Sequence, residues 1–172
     1  LKAFMEHGHQ CDYHTNLTYK KRTFSVRQKI TDQIALTNEE LMDIYNCDVS
    51  HDVKQTNIKD AFVLNCTLGL RFSDYKKLTK DNMVTIENEN YIRVTTNKTS
   101  TEVLLPILDL AASILYRYRN TVTGFPKVYY NHIFNREIKQ IARKAKLFET
   151  NRLPEQPKKP LWAIISSHVC RR

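Results

Sequence analysis

Four basic side chains in three short motifs set the chemistry open to this 172-residue chain. Arg71 lies in Gly69-Leu70-Arg71-Phe72-Ser73-Asp74. Lys98 lies in Asn97-Lys98-Thr99-Ser100. His168 and Arg171 share Ser167-His168-Val169-Cys170-Arg171 at the end. Two guanidiniums, an ammonium and an imidazole, brought together, suit the holding of a phosphodiester while it is broken and rejoined. Attack on such an ester builds negative charge on its non-bridging oxygens, and fixed guanidinium forks meet that charge without a metal. A lysine on a turn can protonate the leaving oxygen, and an imidazole can bind the phosphate or take up the attacking group's proton. Taken singly, each motif is ordinary. Arg71 also reads as a surface arginine paired with Asp74, His168-x-x-Arg171 as chance, and Lys98 as a solvated turn lysine.

The remaining composition narrows the setting. The length suits one domain with a real core. A net charge of +9 and an estimated pI of 9.4 favour a polyanionic partner, nucleic acid before membrane. No apolar run approaches the ~20 residues that cross a bilayer. The first residues do not form a signal peptide, and the absence of an initial Met reads as a piece of a longer protein. The four cysteines, Cys11, Cys47, Cys66 and Cys170, are scattered without a CxxC pair, as in a cytosolic protein with reduced thiols.

The elements that must position these residues are mainly helical. Residues 1–35 are polar and mixed and read as the end of a preceding helix plus a linker, with a compact domain starting at Leu36. Thr37 and Glu40 form a capping box for a helix whose face carries Leu41, Ile44 and Tyr45. A second helix is expected over roughly 53–68, with Ile58, Ala61, Phe62 and Cys66 on its apolar face and Gly69 as its stop. Ser73 is a candidate N-cap for a short helix after it. The period then changes to two: Val84 and Ile86, then Ile92 and Val94, with Glu87 to Asn90 as the turn between them. A third strand, Glu102 to Leu105, follows the Lys98 turn. Helical spacing returns at Leu110 to Tyr118 and at Ile138 to Ala145, with Asn135 as a cap. Pro154, Pro157 and Pro160 mark a loop. Ser167 is expected to cap a helix that begins at His168. The fold class is mainly α with a small inserted antiparallel β-sheet.

The motifs, in this order, resemble the catalytic domain of the tyrosine recombinases (phage-type integrases), in particular those of Bacteroidetes mobile elements. Thr67 to Asp74 is similar to the box that carries the family's first catalytic arginine, with Asp74 at the supporting acidic position. Ile165 to Arg172 is similar to the second box, and Lys98 to the family's turn lysine, although Lys-Thr-Ser stands where relatives often have Lys-Thr-Gly. The resemblance covers roughly 36–172. It implies a catalytic set of Arg71, Lys98, His168 and Arg171 and a supporting Asp74. It also implies site-specific cleavage and rejoining of double-stranded DNA through a 3′-phosphotyrosyl bond, without cofactor or metal. By the same resemblance residues 1–35 are the end of a preceding DNA-binding domain plus a linker. The full-length protein would be a cytoplasmic, nucleoid-associated tetramer on DNA, and this piece a monomer away from any membrane. None of the nine tyrosines, Tyr129 and Tyr130 included, matches the nucleophile's place, so the chain reads as cut short before it and inactive alone.

Two other functions fit the same residues: a type IB topoisomerase-like enzyme, and a non-catalytic DNA-binding module of a decayed integrase. A separate cluster, His7-x-His9-x-Cys11-x-x-His14, has ligand-type residues. On a strand, His7, His9 and Cys11 would share a face. No matched second pair supports a metal there.

Overall fold

The computed structural model describes residues 1–21, 23–24, 34–97, 100–149 and 159–171, and all their side chains but that of Arg171. Lys98 therefore lies outside the described residues, as does most of the proline loop. The chain divides into two units, Leu1–Thr31 and Asp32–Arg172.

In the first unit, α1 (Lys2–Gln10) is followed by a 3₁₀ turn at Thr18–Lys20. Tyr19 is buried here and donates its hydroxyl to Glu6 at 3.0 Å. Because α1 is a helix, His7, His9 and Cys11 do not line up as they would on a strand. Cys11 Sγ lies 3.8 Å from His7 Nε2, while His9 and His14 bond the carbonyls of His14 and Met5. Among the described residues no group of three such side chains is placed to hold a metal ion.

The second unit is built around one helix. α2 (Asn38–Asn46) opens with the expected capping box: Thr37 Oγ1 accepts from the Glu40 N–H, and the Glu40 carboxylate from the Thr37 N–H. α3 (Val53–Leu68) buries Ile58, Ala61, Phe62, Val63, Leu64 and Leu68, residues that go right round the helix. That pattern belongs to a helix enclosed on all sides rather than to the one-sided helix its spacing suggests. α2, α5 (Asp109–Tyr118), α6 (Asn131–Lys144) and a last 3₁₀ turn (Val169–Arg171) all pack on it.

Polar groups inside this arrangement are paired across helices. Asp60 of α3 accepts from Arg117 Nη2 at 3.0 Å and from the Tyr118 hydroxyl at 2.9 Å, which ties α3 to α5. Glu137 of α6 accepts from Lys54 at 2.9 Å, from Gln55 at 3.1 Å and from Arg136 at 2.9 Å, which ties α6 to the start of α3. Burying a carboxylate is costly unless hydrogen bonds satisfy it, and both are satisfied.

The inserted sheet is antiparallel in the order β1-β2-β3, with β1 Met83–Ile86, β2 Glu89–Thr95 and β3 Glu102–Pro106. Ile92 and Val94 face the core and are buried. The β1–β2 turn is shorter than expected. Glu89 and Asn90 pair with Ile86 and Thr85, leaving only Glu87 and Asn88 to turn the chain. Both have positive φ, 51° and 67°, the signature of the type I′ hairpin turn that asparagine and glycine fit best. Combining Glu87→Asn with Asn88→Gly should raise stability by about 1 kcal/mol. The check is a higher urea midpoint at an unchanged denaturant slope.

No helix among the described residues is long and apolar enough to cross a membrane.

Candidate phosphate-binding site

Arg71 owes its place to the end of α3. Gly69 closes that helix in the left-handed conformation at φ 63°, and its N–H donates to Asn65 O at 2.9 Å. A residue with a Cβ would carry strain there, about 1 kcal/mol. The chain reverses through Leu70, and Arg71 becomes the N-cap residue of α4 (Phe72–Tyr75). Ser73, expected as that cap, lies inside the helix. Arg71 is half-buried, and among the described residues no carboxylate pairs with it.

Asp74 does not turn to Arg71. Its carboxylate is buried and accepts the backbone N–H of Asn97 at 3.2 Å. Asn97 is also held by Lys77, whose Nζ donates to Asn97 Oδ1 at 2.6 Å. The β2–β3 connection is thus fastened to α4 at the residue preceding Lys98. The helix that Arg71 caps therefore holds the backbone immediately before Lys98.

The last segment arrives at the same helix end. α7 (Leu161–Ile164) leads into Ile165, fully buried, and then to Ser167. Contrary to expectation, Ser167 caps no helix, and no α-helix begins at His168. The chain makes a 3₁₀ turn over Val169–Arg171, and Ser167 is turned toward α6. Val169 and Cys170 are buried against α3, with Cys170 Sγ donating to Phe62 O at 3.7 Å. The Cys170 thiol and burial together push the Cys66 thiol well above its ordinary value. Phe62 and Cys66 both lie in the last two turns of α3, so Cys170 sits close to where the chain leaves that helix for Arg71. His168 is exposed, and the backbone of Arg171 lies in the 3₁₀ turn.

The described residues thus gather the Arg71 box, the residue before Lys98 and the His168 segment around the C-terminal end of α3. Side-chain positions of Lys98 and Arg171 lie outside the description.

Two features were not legible beforehand. Asn131 and Asn135 hold Ser167, although Asn135 reads as a cap and α6 begins four residues earlier. Tyr130, 70% exposed, stands next to Asn131, with its ring stacked on His132 and under Lys76 Nζ of the α4 cap at 5.5 Å. The pairing of an exposed ring with a lysine just past Asp74 could not be read from residues so far apart in the chain.

No protein-family model and no curated protein matches the chain significantly. Solved structures do. A lambda integrase (residues 75–356) dimer bound to a COC′ core site aligns with TM-score 0.66 at 14% identity. It covers 97% of this chain and 59% of its own. The lambda integrase catalytic core aligns with TM-score 0.56 at 15% identity, over 81% of this chain and 79% of that one. XerH site-specific recombinase, in a pre-cleavage complex with difH substrate, aligns with TM-score 0.55 at 16% identity, over 86% of this chain and 43% of that one. The fold is that of a tyrosine-recombinase catalytic domain, mainly helical with a three-stranded antiparallel sheet, as the sequence led one to expect. The chain spans 59% of the first of these structures.

Proposed function

We propose that this chain is the phosphodiester-holding part of a site-specific DNA recombinase that integrates or excises a mobile element. In it Arg71 and Arg171 hold the scissile phosphate, and Lys98 protonates the departing 5′-oxygen. His168 binds the phosphate or takes up the proton of the attacking hydroxyl. Residues 1–35 belong to a preceding DNA-binding domain and its linker, and residues 36–172 to the catalytic domain. A tyrosine supplied from outside these 172 residues attacks phosphorus, forms the 3′-phosphotyrosyl bond and releases the 5′-hydroxyl. That bond conserves the energy for rejoining, so neither ATP nor a metal enters. The working assembly is a tetramer on duplex DNA inside the cell, and the isolated chain is a monomer.

One observation carries this: Asp74, three residues after Arg71, fixes the backbone beside Lys98, on the helix end that also receives the His168 segment. The solved structures of the same fold support DNA as partner, since lambda integrase and XerH are described bound to DNA sites.

A nicked duplex that traps a covalent intermediate tests the proposal. A denaturant-resistant adduct should form with a protein extended through a downstream tyrosine and not with the 172 residues. An adduct with the 172-residue chain that Tyr130→Phe abolishes would make Tyr130 the nucleophile and overturn the assignment.

Non-covalent binding gives a second expected outcome. The +9 chain should bind duplex DNA with little sequence preference. Log affinity should fall with log salt at a slope of about −0.9 for each phosphate neutralised. Affinity that ignores salt would contradict it.

A further inference from the structure

Ser167 stands immediately before His168 and is only 2% exposed. Its N–H donates to Asn135 Oδ1 at 2.8 Å, and its hydroxyl donates to Asn131 Oδ1 at 2.9 Å. The two asparagines are themselves joined, Asn135 Nδ2 donating to Asn131 Oδ1 at 3.3 Å. Four residues apart on α6, they share one face, and together they close a three-residue ring of hydrogen bonds onto Ser167. On its other side His168 is followed by Val169 and Cys170, buried against α3. His168 itself is exposed. Its direction is therefore set by the two anchors on either side: Ser167 on α6 and Cys170 on α3. A buried serine engaged by two helix side chains is a specific attachment, because a shift of the segment would strand several polar groups at once.

We infer that Asn131 and Asn135 are positioning residues, which aim His168 at the anion by fixing Ser167. The inference rests on the phosphate site proposed above and adds to it a support that no motif in the sequence advertises. The asparagines touch neither DNA nor the reacting atoms. They act through the backbone of the segment that carries the imidazole.

The test uses the 172-residue chain and inorganic phosphate as probe. Binding is read from the ring resonances of His168, and stability from thermal unfolding of the same samples. Bound phosphate should shift those ring resonances in proportion to the fraction of sites filled. Outer partners that orient a ligating histidine are worth roughly 10- to 100-fold in affinity at metal sites, and the lower end is expected here. Asn131→Ala and Ser167→Ala should each weaken phosphate binding by about tenfold and shrink the phosphate-induced shift of the His168 ring resonances. The double variant should be no weaker than the worse single one, since both break the same contact. Ser167→Ala removes only one oxygen and preserves the fold if Asn131→Ala does not. Gln140→Ala, which removes a hydrogen bond from Gln55 elsewhere on α6, is the control and should leave affinity unchanged. Arg71→Ala separates the two ideas. If it abolishes phosphate binding while Asn131→Ala and Ser167→Ala stay within about twofold of the parent, the clamp is wrong and the site stands. If it leaves binding intact, the site itself is wrong, and the clamp goes with it. Equal affinity losses in Gln140→Ala would reduce the asparagines to general stability and overturn the inference.

Discussion

Glu137→Gln should cost this chain about 3 kcal/mol of stability at neutral pH and almost nothing near pH 2. The side chain of Glu137 is 4% exposed and accepts hydrogen bonds from Lys54, Arg136 and Gln55. Burial alone pushes its carboxyl up. The bonds from those three donors more than reverse that and hold it at about 2, against an ordinary 4.5. A carboxyl whose folded value lies below its unfolded one adds stability above the unfolded value. That stability is lost as pH falls through the folded one. The window is therefore pH 4.5 down to about 2. Roughly two and a half units at about 1.4 kcal/mol each give about 3.5 kcal/mol, which solvent screening of the exposed partners lowers to the quoted figure. Lys54 and Arg136 are 37% and 62% exposed, so salt should trim the effect. Thermal unfolding should show a midpoint lower by roughly 6–12 °C at pH 7, with the two proteins converging in acid. A difference of the same size in acid and at neutral pH would show that Glu137 matters by packing and not by charge.

That pair also marks where the sequence stopped being readable. Lys54 and Glu137 are 83 residues apart, and nothing local announces that they meet. What was readable lay within a turn or two of chain. Thr37 and Glu40 cap their helix reciprocally because the partners are three residues apart. Gly69 ends α3 because only a left-handed residue can follow Leu68 in that reversal. The alternation of Ile92 and Val94 led to a strand with one buried face. Several of the readings that failed concern polar residues whose partners are distant. Asn135 suits a helix cap by type, yet its oxygen, like that of Asn131, accepts from Ser167, far along the chain. Ser167 likewise suits a cap, and for the same reason caps nothing. Glu89 and Asn90 look like turn residues, but Asn90 accepts the Thr85 hydroxyl at 2.8 Å across the hairpin and stays in the strand. α3 read as one-sided because Val63 and Leu64 break the helical spacing. They are buried because helices pack on every side of it.

The candidate site was legible to a different degree. The basic residues were visible by type and order, whereas the gathering of the Arg71 box, Asn97 and the His168 segment at one end of α3 is a tertiary fact. Asp74 was expected to support Arg71 directly. Its carboxylate reaches instead the backbone beside Lys98, so its support passes through the hairpin. The expectation changes accordingly: the damage from altering Asp74 should fall on the lysine's step more than on phosphate affinity.

Asp74→Ala should reduce strand cleavage by about 100-fold in a protein that carries the attacking tyrosine, with DNA affinity within a few-fold of the parent. The carboxylate is 3% exposed and its Oδ1 accepts the Asn97 N–H. Removing it leaves that N–H without its acceptor and frees the hairpin from α4, while Lys77 alone retains Asn97 through its side chain. A general acid must lie within hydrogen-bond reach of the oxygen it protonates, and a displacement of about 1 Å costs on the order of 100-fold. Asp74→Asn keeps an acceptor oxygen at the same place and should recover most of the activity, about tenfold below the parent or better. A substrate whose 5′-bridging oxygen is replaced by sulfur leaves without a proton and should be cleaved equally well by the parent and by Asp74→Ala. Arg71→Ala, by contrast, removes charge from the transition state itself and should lose roughly 100- to 1,000-fold on both substrates. If Asp74→Ala is as poor on the sulfur substrate as on the ordinary one, Asp74 acts on phosphate binding. The hydrogen bond to Asn97 would then have no part in positioning the acid.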